Sequence, residues 1–472
     1  MNGSDSPVDG LFASERFGAV MVELEGLAQR FAAAGHRLFL VGGTVRDLVA
    51  TTSHLDAFDL DASTSAHPEE IKRLLQGWAD AIWTQGERFG TIGAMKRMAG
   101  SEAAGRVFEI TTHRSEAYQG GSRKPHVAFS DDIVVDLSRR DFTVNAMAID
   151  VTSPAPALVD PFHGADDLAN RVLRTPLTPA ESFSDDPLRM LRAARFITRY
   201  DLVPVPELVD AVRTMGDRLA IVSAERIRDE LDKLLGAPSP LAGLQFVTDT
   251  GLARHAVPQF GALADRTLEA SAHPDALSHA IALASSVPVG DHTIRHAPRL
   301  TRWAALLSSL GAESARHSMR RLRDSITHIE AIGTLVSIHE RLVTHADEAA
   351  SDPSWTDGEV RRMVRDAGPL LGEALVMARA TATLLRTEAS GRLTVGLDAF
   401  EDRIRVLAMA EDLGDLQPEL DGASVMAVLG LAPGRDVGAA LGFLTDLRLD
   451  AGVLGTADAT RRLQQWWADR SR

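Results

Sequence analysis

The first 150 residues mix strand and helix patterns, and helical periodicity dominates from about Ser182 onward. Leu38-Phe39-Leu40-Val41 is an unbroken apolar run stopped by Gly42-Gly43, the pattern of a short buried strand that ends in a turn. Residues 45–50 read as helix. Phe58-Asp59-Leu60-Asp61 alternates with period two, as a strand with one apolar face does. Pro68 to Trp78 has the spacing of an amphipathic helix. Ile92 to Lys96 and Val107 to Thr111 read as two further strands, and Gly120 to Pro125 as a polar loop.

From about Ser182 onward strand signals nearly vanish. Helix starts are expected at Ser184 before Asp185-Asp186-Pro187, at Ser223 before Ala224-Glu225, and at Pro353-Ser354. Breaks are expected at Gly236 to Pro240, from Pro288 to Asp291, and at Leu431 to Gly434. No internal repeat is visible. The predicted fold class is α+β: a small mixed-sheet domain over residues 1–150, then an all-α remainder.

Length and composition narrow the picture. A chain of 472 residues exceeds one ordinary hydrophobic core, so roughly two to four domains are expected. The 45% apolar and 24% charged content is that of a globular protein. With no cysteine there is no disulfide, thiolate metal site or cysteine nucleophile. The N-terminal MNGSDSPVDG lacks the basic and apolar regions of a secretory signal, and no apolar run approaches the roughly 20 residues of a membrane helix. A soluble, cytoplasmic protein is the expectation. The net charge of −15 argues at first against a nucleic-acid partner. Binding answers to the local field, however, and the arginines here form rows of their own.

Five short segments carry candidate chemistry. In Val41-Gly42-Gly43-Thr44-Val45-Arg46-Asp47 a strand passes through two glycines into a helix, which lets a phosphate approach the backbone, and Arg46 could add a charge-assisted contact. A plain strand-to-helix turn would look the same. Asp59 and Asp61 lie at i and i+2 of a strand and share a face. Two adjacent carboxylates repel unless a cation neutralises them, and hard oxygen ligands suit Mg²⁺, with two ions about 3.5–4 Å apart in many phosphoryl-transfer sites. Glu109, inside apolar Val107-Phe108-Glu109-Ile110, is either a third carboxylate needing a cation or a residue on the solvent face.

Arg139-Arg140-Asp141-Phe142-Thr143-Val144-Asn145 offers guanidiniums for a triphosphate, while Asp141 and Asn145 could hold ribose hydroxyls or align the turn. A charged helix entry is the simpler alternative. Asp186 and Arg189 stand three apart at a helix start. The carboxylate only accepts hydrogen bonds and the guanidinium only donates. Cytosine and adenine both present an amino donor beside a ring-nitrogen acceptor; guanine and uracil present the reverse. One Asp/Arg pair would therefore take C and A and reject G and U, unless the two simply form a salt bridge. Arg192, Arg195 and Arg199 continue at helical spacing as a possible phosphate track, and Ser223 to Glu230 could buttress the pocket.

In this order the segments resemble the bacterial-type CCA-adding enzymes, class II tRNA nucleotidyltransferases of the polymerase-β-like superfamily, over about residues 36–235. The resemblance implies a nucleotidyltransferase head at 1–150, a nucleotide-selecting helical neck at 151–236, a degenerate HD-like body at 237–345 and a tRNA-binding tail at 346–472. It implies that Gly42, Gly43 and Arg46 bind phosphate, and that Asp59, Asp61 and Glu109 are the catalytic, metal-binding carboxylates. Arg140, Asp141 and Asn145 contact ribose, Asp186 and Arg189 pair with the incoming base, and Arg192 and Arg195 complete the nucleotide site. Asp160-Pro161-Phe162-His163-Gly164 resembles the hinge motif between head and neck. The implied cofactor is Mg²⁺, as two ions. The implied substrates are CTP and ATP, added as C, C and A to the acceptor arm of tRNA, with pyrophosphate released. The stretch from Asp421 to Trp467 resembles the tail of actinobacterial members.

Two departures stand out. Trp303-Ala304-Ala305-Leu306-Leu307 is followed by Ser308-Ser309 where HD-type relatives carry a His-Asp pair. Hydroxyls are poor metal ligands, so a helical scaffold without phosphatase activity is expected, with His279 and His317 structural. In the flexible loop, Gln119 stands where relatives place an acid a few positions before a loop arginine, here Arg123. That leaves open an enzyme adding only two C. A poly(A) polymerase shares the same head, and a catalytically silent tRNA-binding protein is the alternative outside enzymes.

Overall fold

The computed structural model describes residues 10–50, 59–97, 105–114, 129–288, 298–349 and 355–470. The chain divides into two compact units, Met1–Glu230 with Ala242–Ala256, and Leu231–Leu241 with Val257–Arg472.

The first unit is built on a seven-stranded mixed sheet. Its strands are β1 (Leu38–Val41), β2 (Asp59–Thr64), β3 (Ala81–Trp83), β4 (Thr91–Lys96), β5 (Arg106–Thr112), β6 (Ala148–Asp150) and β7 (Leu158–Val159), in the order β3-β4-β5-β2-β1-β6-β7. Only β2 and β5 run parallel, with Asp61 opposite Glu109. Helices α1 (Glu15–Ala33), α2 (Gly43–Val49) and α3 (Pro68–Leu75) cover one face. Phe17, Leu24, Leu27 and Phe31 of α1 pack there on Leu60, Ile92, Phe108 and Ile110 of the strands. Period-two alternation then turns Asp61 and Glu109 to the opposite face. β1 has no polar position because it is buried on both sides: Leu38 and Leu40 join this core, while Phe39 and Val41 join a second one with Ile133, Leu137 and Ala148.

The elements depart from the sequence pattern in instructive places. α3 stops at Leu75, short of Trp78, because Gly77 takes a left-handed φ of 69°. β2 runs on through Ser63 and Thr64, polar yet fully buried, because Ser63 Oγ pairs with His113 Nδ1 at 2.7 Å and Thr64 Oγ1 donates to the Arg37 carbonyl at 2.6 Å. The expected helix start at Ser184 is corrected. Helix α6 (Pro179–Asp185) begins earlier, at a capping box made by Thr178 and Glu181, and contains Ser184. Asp186 ends it, since the residue before Pro187 is pushed out of helical geometry. Helix α7 (Arg189–Tyr200) starts afresh. Before these come α4 (Ile133–Ser138) and α5 (Gly164–Ala169). The Asp160–Gly164 segment leads into α5. Asp160 accepts from the Gly164 and Ala165 amides at 2.7 and 2.9 Å, and a Cβ on Gly164 would collide with the Thr143 carbonyl. Then follow α8 (Pro206–Met215) and α9 (Ala224–Leu235), the latter starting after Ser223 as expected.

The second unit is helical, with long helices at Ile326–Ala349 and Thr387–Ala410 and a C-terminal group at Gly422–Leu429, Arg435–Ala451 and Thr456–Arg470. The expected breaks at 236–240 and 431–434 are found, while the helix start at 353–354 and most of the break at 288–291 lie outside the described residues. Buried Arg302 gathers the first break: its guanidinium donates to the carbonyls of Leu235 (2.6 Å), Ala237, Pro238 (3.1 Å) and Val287 (2.9 Å). Ser308 and Ser309 lie in a short 3-10 turn, where Ser308 Oγ donates to the Ala305 carbonyl at 2.8 Å. His279 is buried against Ser271 Oγ at 2.9 Å, and His317 is exposed. Among the described residues no helix is long and apolar enough to cross a membrane.

Candidate active site

Where β1 ends, the chain turns at Gly42 with φ 71° and ψ −136°. A side chain there is excluded twice, by that backbone conformation and by space: a Cβ would lie 3.0 Å from Arg140 Nη1 and 3.5 Å from Asp61 Oδ2. Gly42 thus sits between a guanidinium and a carboxylate, on the floor of a cavity of about 610 Å³. Gly43, Arg46, Asp61, Arg140, Asp141, Asn145, Asp186, Arg189, Arg192 and Arg195 line the same cavity. Sequence-predicted residues from four of the five segments therefore meet in one place. Eight arginines face four aspartates around it, a locally cationic basin in a chain whose total charge is −15.

Behind this wall the charged groups hold one another. Arg46 is buried; its Nε donates to Asp47 Oδ1 at 2.8 Å, its Nη1 to Asn145 Oδ1 at 2.7 Å, and its guanidinium lies 4.0 Å from the Tyr200 ring. Asn145 passes the chain on, donating to Asp141 Oδ1 at 2.9 Å. The other Asp141 oxygen receives Arg192 through Nε and Nη2, at 3.0 and 2.6 Å. Arg195 Nε then donates to buried Glu230 at 2.9 Å, and Arg192 Nη1 is 3.7 Å from the same carboxylate. Burial alone would push the Asp141 carboxyl up. The Arg192 charge, the hydrogen bonds from Asn145 and Arg192, and the Arg189 charge outweigh it and hold the group far below the usual carboxylate range. Arg192 responds in the opposite sense, raised chiefly by Asp141.

Asp186 and Arg189 do not spend their charges on each other. Asp186 Oδ2 meets Arg226 at 2.7 Å and its Oδ1 accepts from the Leu188 amide at 3.1 Å. Arg189 Nη1 donates to Ser182 Oγ at 2.9 Å and Nη2 to the Arg139 carbonyl. Both side chains still line the cavity, an acceptor and a donor fixed from behind. The Arg139–Asn145 segment leaves the C-terminal end of α4, where cations suit the helix dipole, and runs into a short 3-10 turn at Thr143–Asn145.

Glu109 lies on the exposed face of β5, so the solvent-face reading is the geometry found. That face is also the one that carries Asp61, its partner in the parallel pairing, on strands about 4.8 Å apart. Glu109 lines a separate, smaller cavity rather than the large one. Asp59 is in β2, two residues from Asp61, but its side chain lies outside the described residues, as do Gln119 and Arg123. Among the described residues no group of three His, Asp or Glu side chains has metal-holding geometry. The donor set itself, hard carboxylate oxygens at neighbouring register positions of β2 and β5, fits a divalent cation. Sequence reasoning did not single out Arg106, Phe196 or Tyr200, all of which line the large cavity, nor Glu230 individually. Tyr200 is one of only two tyrosines, and its place at the end of the arginine ridge was a usable signal.

The first unit thus carries an Asp-x-Asp strand beside a glycine turn and an arginine-rich basin on one mixed sheet. Residues 38–174 accordingly match the poly A polymerase head domain, and residues 204–263 match the family described as the probable RNA and SrmB-binding site of polymerase A. The chain is similar to bacterial CCA-adding enzymes. It is 37% identical to that of Lactobacillus johnsonii over 228 residues, 48% of this chain and 53% of the relative, and 34% identical to that of Bacillus velezensis over 279 residues, 59% and 61%. The matched part thus spans about half of the length of these curated relatives. In fold the likeness extends further: the Bacillus stearothermophilus CCA-adding enzyme in complex with CTP superimposes with a TM-score of 0.66 over 97% of this chain and 99% of that one, at 22% identity. The Thermotoga maritima CCA-adding enzyme complexed with tRNA gives 0.62 over 98% of each, at 20% identity.

Proposed function

We propose that this chain is a template-independent RNA nucleotidyltransferase that adds C, C and A to the 3′ end of tRNA from CTP and ATP. The observation that carries the reading is the convergence of the Gly42 turn, Asp61, Arg140 and the Asp186/Arg189 pair on one cavity. The RNA 3′-hydroxyl oxygen bonds to the α-phosphorus, the bond to the β-phosphate oxygen breaks, pyrophosphate leaves and the hydroxyl proton passes to solvent. Gly42 lets a phosphate come close to the backbone, and Arg140 beside it balances the charge that builds on the phosphoryl oxygens. Asp186 accepts from the amino group of C or A, and Arg189 donates to the neighbouring ring nitrogen. G and U would set donor against donor and acceptor against acceptor.

Asp141, Asn145 and Arg46 act here through others, their hydrogen bonds holding Arg192 and the turn in place; Asp141 and Asn145, with Arg140, would also contact ribose. Asp61 and Glu109, with Asp59, would hold Mg²⁺, as two ions. When bound, the ions neutralise the phosphates and lower the pKa of the attacking hydroxyl. In this reading Gln119 and Arg123 belong to the loop that changes the site from C to A addition. The chain is divided as head 1–150, neck 151–236, body 237–345 and tail 346–472, the tail holding the acceptor arm, and the protein works in the cytoplasm.

The test is incorporation on a tRNA ending at its discriminator base, with Mg²⁺ and each nucleotide offered singly. CTP used and GTP and UTP refused, with all incorporation lost in Asp61→Ala, supports the proposal. Indifference to the base sinks the role of Asp186 and Arg189, and no incorporation favours an RNA-binding protein without activity.

A further inference from the structure

The row that holds Asp61 and Glu109 continues across the sheet. Asp61 is opposite Glu109, Glu109 opposite Gly93, and Gly93 opposite Trp83, so four residues from four neighbouring strands share one face. Gly93 leaves a gap in that row, and the Trp83 indole fills it: a Cβ on Gly93 would fall on the indole ring. Trp83, on the edge strand β3, is 37% exposed, and so is Phe89. With Glu109, Thr91 and Arg114 they line the second cavity, of about 390 Å³. Arg114 Nη2 donates to Thr91 Oγ1 at 2.8 Å, which fixes the guanidinium at the cavity wall. The core does not require these aromatics, since the packed face of β4 and β5 is Ile92, Ala94, Phe108 and Ile110.

We propose that this aromatic cavity seats the 3′-terminal nucleoside of the RNA acceptor, its base stacked on Trp83 and its phosphate near Arg114. The terminal hydroxyl then lies toward Glu109 and Asp61. The proposal rests on the reading of those carboxylates given above. Charge separates the two cavities: eight arginines suit a triphosphate, whereas two aromatic rings and one guanidinium suit a nucleotide unit of single charge. The chemistry of successive addition points the same way. The terminal base of the acceptor changes after each step, so its seat must take any base. Stacking does, because every base has a π-face, and hydrogen-bonded readout does not.

The experiment uses the whole protein and two acceptor-stem hairpins, one with a single-stranded 3′ overhang and one blunt, with affinities read by fluorescence anisotropy and CTP affinity by equilibrium dialysis. Trp83→Ala should weaken overhang binding about tenfold, the size expected for one lost stack. Trp83→Phe should restore most of it, and blunt-hairpin and CTP affinities should stay as in the wild type. Gly93→Ala, which displaces the indole without removing it, should reproduce the loss, and unchanged circular dichroism would show that both variants fold. Equal loss on both hairpins, no loss on the overhang, or loss of CTP affinity instead would each overturn the seat. A wild type that binds the overhang through Trp83 yet incorporates nothing would contradict the proposed function and leave the seat standing. Normal incorporation by Trp83→Ala with an unchanged KM for RNA would do the reverse.

Discussion

Asp141 offers the sharpest perturbation, because the residue is 8% exposed and its carboxylate accepts from Arg192, from the Asn145 side chain and from the Phe142 amide. Replacing it by Asn keeps the shape and removes the charge. Arg192 then loses the bidentate contact at 3.0 and 2.6 Å, leaving a guanidinium whose remaining carboxylate is Glu230 at 3.7 Å. The Asn145 amide, which now donates to Asp141 Oδ1, would face either an amide oxygen or another donor. Breaking a buried pair by removing one partner typically costs about 3–5 kcal/mol. Because Glu230 retains part of the Arg192 charge, the lower end, about 3 kcal/mol, is the expectation. For a unit of this size that is a fall in melting temperature of roughly 6–12 °C. Differential scanning calorimetry of Asp141→Asn reads it, and the double variant with Arg192→Gln should cost much less than the sum of the two single variants. The carboxyl is held below its ordinary value, so its contribution is present above the unfolded pKa and fades only as the pH falls through the depressed folded one. The difference between wild type and variant should therefore be undiminished from pH 8 down to pH 5. A melting temperature within a degree of wild type, or strict additivity in the cycle, would refute the network.

Gly42→Ala forces a side chain into φ 71° within 3.0 Å of Arg140, and should lower kcat/KM at least a hundredfold while leaving RNA binding intact; steady-state kinetics and anisotropy separate the two. Burial holds His279 and His339 neutral, with pKa values pushed down to about 4. The unfolded chain takes up protons below about pH 6.5 and the folded one does not. The second unit should thus lose up to about 3 kcal/mol per histidine between pH 6.5 and 4, and His339→Gln should flatten the dependence in denaturant titrations. Arg302→Met leaves the carbonyls of Leu235, Ala237 and Pro238 without their donor and should destabilise the second unit by about 3 kcal/mol, whereas a neutral result would show that water replaces the guanidinium.

The sheet was legible where burial and sequence agree. Leu38–Val41 is apolar throughout because both its faces are packed, and Asp61 and Glu109 alternate with Leu60, Phe108 and Ile110 because only one face is. β3 was not legible, since all three of its residues are exposed on an edge strand and show no alternation. The break between α6 and α7 was misplaced because two capping signals lie six residues apart and only Thr178 with Glu181 closes a box. In the site, residue types announced which segments would meet. They could not announce which charges face a ligand and which hold each other, since Arg46, Asp141 and Arg192 have the same composition in either role. That distinction depends on the pairings themselves: Asn145 accepts from Arg46 and donates to Asp141, and Glu230 accepts from Arg195.

The central claim is tested most directly by the sequence of the product. Purified protein, Mg²⁺, CTP and ATP are incubated with a tRNA ending at its discriminator base, and the 3′ ends are sequenced. The account predicts termination after C, C and A, with no extension in Asp61→Ala. Long runs of A, or no addition at all, would contradict it.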